Sequence, residues 1–119
     1  MKNQIKTFIK SLGNAIKGLY FLFKDERNAR IHAIATALVV AASFYYEING
    51  VEWVLVALAI VLVLFAEAVN TAIENMMDYI SEEQDSRIGK IKDIAAGAVL
   101  IMAVFALIIA YVVFWDKVF

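Results

Sequence analysis

Glu67, Asn70, Glu74 and Asp78 follow an uncharged apolar run at spacings of three, four and four. At about 100° per residue they fall within roughly 80° of a helix circumference, so they line one face. An acid held at membrane depth costs about 3 kcal/mol or more unless it is paired or faces a polar cleft, which makes this stripe a functional candidate. Glu74 and Asp78, one turn apart, repel each other unless a cation lies near. Oxygen-only ligands suit a hard divalent ion such as magnesium. A chain with one histidine and no cysteine has no zinc set to offer. Elsewhere, Glu26 and Arg30 stand one turn apart, and Lys92 and Asp93 follow a polar segment. A magnesium site, nearby cations and an intramembrane base are together what phosphoryl transfer from ATP to an alcohol requires. The cations offset phosphate charge, and a carboxylate accepts the hydroxyl proton.

The elements that must carry these residues are helices in a membrane. The 119 residues give room for one domain, 1–119, and 63% of them are hydrophobic, well above a soluble domain of this size. Residues 1–29 read as an amphipathic helix on the membrane surface and the approach to the first span. Ile5, Phe8, Ile9, Leu12, Ile16, Leu19 and Phe23 recur at helical steps, flanked by Lys6, Lys10, Lys17 and Lys24. Spans are predicted over 30–46, 52–79 and 88–115, giving an all-α membrane protein with a surface helix and three transmembrane helices. Of the eleven basic residues, seven lie in the first thirty positions, a bias that orients a membrane protein rather than marking a nucleic-acid binder. The segment Glu47-Ile-Asn-Gly-Val-Glu52 holds the turn pair Asn49-Gly50 and no basic residue, so it is predicted outside. Ser81 to Lys90 carries Arg87 and Lys90 and is predicted inside, with the N-terminus.

Counting about 1.5 Å per residue from Trp53, Glu67 lies roughly 20 Å into a hydrocarbon layer about 30 Å thick, at the inner head-group level. Three lesser features carry less. Gly13-Asn-Ala-Ile-Lys-Gly18 has P-loop glycine spacing but lacks the following Lys-Ser/Thr and sits in the surface helix. His32, alone near the start of a span, reads as a hydrogen-bonded structural residue. A cation conduit or non-catalytic membrane subunit is the alternative from another class, but the outer halves of the spans hold almost no polar groups to line a path.

The stretch Glu67-Ala-Val-Asn-Thr-Ala-Ile-Glu74, followed by Asp78 and Lys92-Asp93-Ile-Ala-Ala-Gly-Ala-Val99, resembles the small prokaryotic diacylglycerol kinase family over nearly the whole chain. Glu26-Arg-Asn-x-Arg30-x-His32 looks more like the undecaprenol kinase branch than the enterobacterial diacylglycerol kinase branch, which has an acidic residue in place of His32. The resemblance implies a homotrimeric bundle in the bacterial cytoplasmic membrane, with active sites shared between subunits. It implies ATP and a lipid alcohol as substrates, magnesium as cofactor, and undecaprenol, or alternatively diacylglycerol, as acceptor. Glu67 matches the proposed general base, Glu26 and Glu74 the metal ligands, and Asn70, Lys92 and Asp93 positions at the nucleotide. Arg30, Glu67 and Asn70 fall on the lipid side. Glu83, Gln84 and Asp85 occupy a nucleotide-side loop where relatives often carry Tyr-His or His-His, and Asn14 stands where some carry an aromatic residue.

Overall fold

The computed structural model describes residues 1–81 and 85–119, and every regular element among them is an α-helix. The helices are α1 (Lys2–Asp25), α2 (Arg27–Tyr45), α3 (Gly50–Ile80) and α4 (Ser86–Val118). At about 1.5 Å per residue, α3 and α4 are about 46 and 50 Å long, which exceeds a hydrocarbon layer of about 30 Å. α3 therefore has length to spare beyond its apolar part, and that excess carries Glu74 and Asp78.

α1 ends at Glu26, whose extended backbone (φ −107°, ψ 115°) both closes α1 and starts α2. The overall extents are 49 × 48 × 21 Å. Four parallel helices cannot fill that slab. A 24-residue α1 of about 36 Å running sideways from the other helices, each about 10–12 Å across, accounts for the second long dimension. Arg30 Nη1 reaches back to donate to the carbonyls of Phe23 (3.2 Å) and Lys24 (2.6 Å), so a cation satisfies the unpaired C-terminal end of α1 across the bend.

α2 and α3 form an antiparallel hairpin. The expected Asn49-Gly50 turn is instead a helix start: Asn49 Oδ1 accepts from the Glu52 amide at 2.9 Å while Glu52 Oε1 accepts from the Asn49 amide at 3.1 Å. This reciprocal cap draws Gly50 into α3, and the left-handed backbone needed to reverse the chain falls on Glu47 (φ 48°). Lys117 Nζ donates to Glu52 Oε2 (2.6 Å) and to the Val113 carbonyl (2.8 Å), fastening the end of α4 to the start of α3. Around this junction Phe44 packs on Trp53, Tyr46 on Phe114, and Tyr111 on Trp115, an aromatic girdle of the kind found at membrane interfaces.

The small core at this end joins Ile48, Val56, Ala59, Ile109 and Val113. Most other large apolar side chains face outward, among them Leu38, Val54, Phe65, Ile101 and Leu107. The accessible surface is 9137 Å², against about 6,500 Å² for a compact water-soluble chain of this length. Lipid or further protein, not water, is the medium such a surface fits. Two helices, α3 and α4, are long and apolar enough to cross a membrane on length and composition. α2 falls short of that measure, because Arg27, Arg30 and His32 occupy the first two turns of its 19 residues.

Candidate active site

Burial along α3 follows depth. Glu67 is 2% exposed and Asn70 7%, Glu74 is half-buried, and Asp78 is open to solvent. The stripe legible in the spacing is thus a graded series from the helix-packed interior to the surface. Glu67 owes its burial to α2: His32 Nε2 lies 3.6 Å from Glu67 Oε2 across the α2–α3 contact. The charges of His32, Glu74 and Glu26 all fall within electrostatic reach of Glu67.

Two cavities of about 290 Å³ each flank this centre. One lies between α1 and α3. It is lined by Gly18, Leu22, Asp25, Glu26, Thr71 and Asn75, among others, so a mainly apolar wall carries two acids and two neutral polar side chains. Gly18 and Ala15 on α1 and Ala68 and Ala72 on α3 keep its walls small. The other is an apolar cleft left because α2 packs on α3 without approaching α4. Ala35, Val39, Ala59, Val63, Ala103 and Ala106 form much of its wall, and His32 is the one ionisable residue on it among the described residues. Val63, one turn before Glu67, closes the cleft on the α3 side.

Asn70 Oδ1 and Thr71 Oγ1 are buried without a hydrogen-bond partner among the described residues. A buried acceptor left without a donor costs about 1–3 kcal/mol, so both atoms mark a place where a ligand, water or another chain completes the structure. Among the described residues no three His, Asp or Glu side chains converge to hold a metal by themselves. Magnesium bound with a nucleotide takes one or two protein carboxylates and fills its remaining positions from phosphate and water. Two carboxylates, Glu26 and Glu74, each within electrostatic reach of Glu67, are donors of the kind that habit requires.

The remaining residues sit further out. Lys92 Nζ is ion-paired with Asp78 Oδ1, joining the C-terminal end of α3 to the start of α4. Asp93 is exposed beside it. Arg30 is exposed and engaged with the end of α1. Asp85 caps α4 by accepting from the Arg87 amide at 2.8 Å, and its hydrogen bonds to Arg87 hold its carboxyl below the usual carboxylate range. Glu83 and Gln84 lie outside the described residues. Two members of the site were not singled out from spacing. Thr71 was legible as the neighbour of Asn70 on the same stripe. The contact of His32 was not, since nothing in a lone histidine says which helix it will face.

A buried acid near an acid-bearing cavity and an apolar cleft, on helices suited to a membrane, is an arrangement compatible with an enzyme that meets a lipid. The profile of the prokaryotic diacylglycerol kinase family matches residues 13–114, and the chain belongs to that family. It is similar to the undecaprenol kinase of Bacillus subtilis (34% identity, covering 98% of this chain and 94% of that one). It is also similar to the diacylglycerol kinase of Escherichia coli K12 (31%, covering 91% and 88%). The diacylglycerol kinase of Synechocystis is 34% identical over 77% of this chain and 53% of its own. The protein is therefore a bacterial membrane lipid kinase, which sets aside the non-catalytic conduit.

Proposed function

We propose that this kinase phosphorylates undecaprenol to undecaprenyl phosphate at the cytoplasmic face of the membrane, by direct in-line transfer with Glu67 as general base. The observation that carries the reading is the place of Glu67, buried between Val63 and His32, which line the apolar cleft, and Ala68 and Thr71, which line the cavity beside Glu26. The cleft accepts hydrocarbon, so a lipid hydroxyl arriving along it comes up to Glu67. The cavity beside Glu26 receives the phosphates. Glu67 takes the hydroxyl proton as the lipid oxygen attacks the γ-phosphorus and the bond to ADP breaks, with no phosphoenzyme. Glu26 and Glu74 would hold magnesium, which when bound neutralises charge on the phosphates. Lys92 and Asp93 order the nucleotide from the start of α4, Asp85 stands on the nucleotide side before them, and Asn70 and Arg30 position the acceptor.

Identity across nearly the full length of the Bacillus subtilis undecaprenol kinase supports the prenyl acceptor. The diacylglycerol kinases among the relatives favour diacylglycerol as the second reading. We also take α2 as a third span, since it is antiparallel to α3 and shares its aromatic girdle, with the N-terminus cytoplasmic. A homotrimer with shared sites is supported by the outward apolar faces of α3 and α4 and by the orphaned Asn70 and Thr71 oxygens.

The test is phosphate transfer from ATP by purified protein in one detergent, with undecaprenol and diacylglycerol side by side and with magnesium chelated as a control. Transfer to undecaprenol in preference is expected, lost on chelation. Preference for diacylglycerol would overturn the acceptor, and transfer without divalent metal would overturn the ligand roles of Glu26 and Glu74. Native mass spectrometry of the detergent complex should give three copies.

A further inference from the structure

Glu67 sits in a field that opposes its task. Two acids, Glu26 on the α1–α2 bend and Glu74 one helical repeat along α3, are within electrostatic reach, and the only ion-pair partner of Glu67 among the described residues is His32. No hydrogen bond from a backbone amide or hydroxyl holds the Glu67 carboxylate among the described residues. The Thr36 hydroxyl bonds instead to the His32 carbonyl at 2.8 Å, and Asn70 and Thr71 leave their side-chain oxygens unpartnered. A general base without an orienting partner samples rotamers, and a misplacement of about 1 Å at the reacting atom costs on the order of 100-fold in rate.

We propose that His32 is the positioning residue for Glu67. Its Nε2–H donates to Glu67 Oε2 and turns the other carboxylate oxygen toward the acceptor hydroxyl. The inference rests on the assignment of Glu67 as base. Three observations carry it. Nε2 faces Oε2 at 3.6 Å, a gap that closes to a hydrogen bond with a small side-chain rotation, as catalytic contacts do when substrate binds. The His32 side chain is 25% exposed against 3% for Glu67, so the imidazole forms the boundary between the buried acid and the cleft. His32 also lines the apolar cleft, so a hydroxyl carried to its inner end meets base and positioning residue together. The imidazole is suited to this place because it presents a directed N–H donor at Nε2 on a compact ring that packs into the apolar wall.

The experiment compares His32→Gln, His32→Asn and His32→Leu in the full-length protein, measuring kcat and the KM of ATP and lipid, with Glu67→Gln as reference. The Gln amide nitrogen reaches the position of Nε2, whereas the shorter Asn amide reaches only that of Nδ1. His32→Gln should keep kcat within about threefold, and His32→Asn and His32→Leu should lose at least about 10-fold, with both KM values within about twofold of wild type. Equal activity in all three variants overturns the proposal. So does a loss in which Gln and Asn fall together, or one that is carried by KM. If Glu67→Gln itself stays active, the base assignment fails instead. That outcome is distinct, because it is read on a variant that retains His32.

Discussion

Glu67→Gln separates catalysis from stability in one substitution. The amide has nearly the volume of the carboxylate, and at 2% exposure no bulk water reaches the site to serve as a substitute base. Removing a general base costs about 10²–10⁴ in rate. The middle of that range, about 10³-fold in kcat or about 4 kcal/mol, is the expected loss. The folded state should respond in the opposite sense. The substitution deletes an ionisable group that lies out of water within the field of Glu26 and Glu74, so the thermal midpoint in detergent should hold or rise. The assay is single-turnover transfer of labelled phosphate from ATP to undecaprenol, run beside thermal unfolding of the same preparation. A loss smaller than tenfold would refute the assignment of the base, and a collapse of the thermal midpoint would refute the reading of this acid as functional rather than structural.

Three further outcomes are expected. Lys92→Met should raise the KM for ATP at least fivefold, because it removes the cation proposed to meet the phosphates, whereas Asp78→Asn, which only frees that cation from its partner, should change it less than twofold; equal effects would show that the pair is structural. Replacing Glu47 by Asn should raise thermal stability by up to about 1 kcal/mol without changing kcat, since Asn tolerates the left-handed backbone at φ 48°; a fall in melting temperature would contradict this. Because Arg87 holds the Asp85 carboxyl below its ordinary value, the cap of α4 is fully present above the unfolded carboxylate range of about pH 4 and is lost only as pH falls through the still lower folded value. Hydrogen exchange at the first turn of α4, corrected for intrinsic rates, should therefore be flat from pH 8 to 5, and loss of protection between pH 6 and 5 would oppose the assigned cap.

Much of this protein was legible in its one-dimensional pattern, because the bilayer imposes strong rules on any chain that enters it. A run such as Val54 to Ala66, free of charge, has little choice but a helix, and the period of 3.6 then places Glu67, Asn70, Glu74 and Asp78 on one side whatever surrounds them. The bend at Glu26, the cap at Asn49 and the facing of the stripe depended on more. Asn49-Gly50 reads as a turn until Glu52 is seen closing a reciprocal cap with it, a local competition that hydrogen bonds decide. What only the tertiary structure decided is which helix covers which face. Helical rotation fixes the angle between residues on one element and says nothing of the neighbour. Hence the contact of His32 with Glu67, the cleft between α2 and α4 and the acidic cavity beneath α1 emerged only when the helices were packed together.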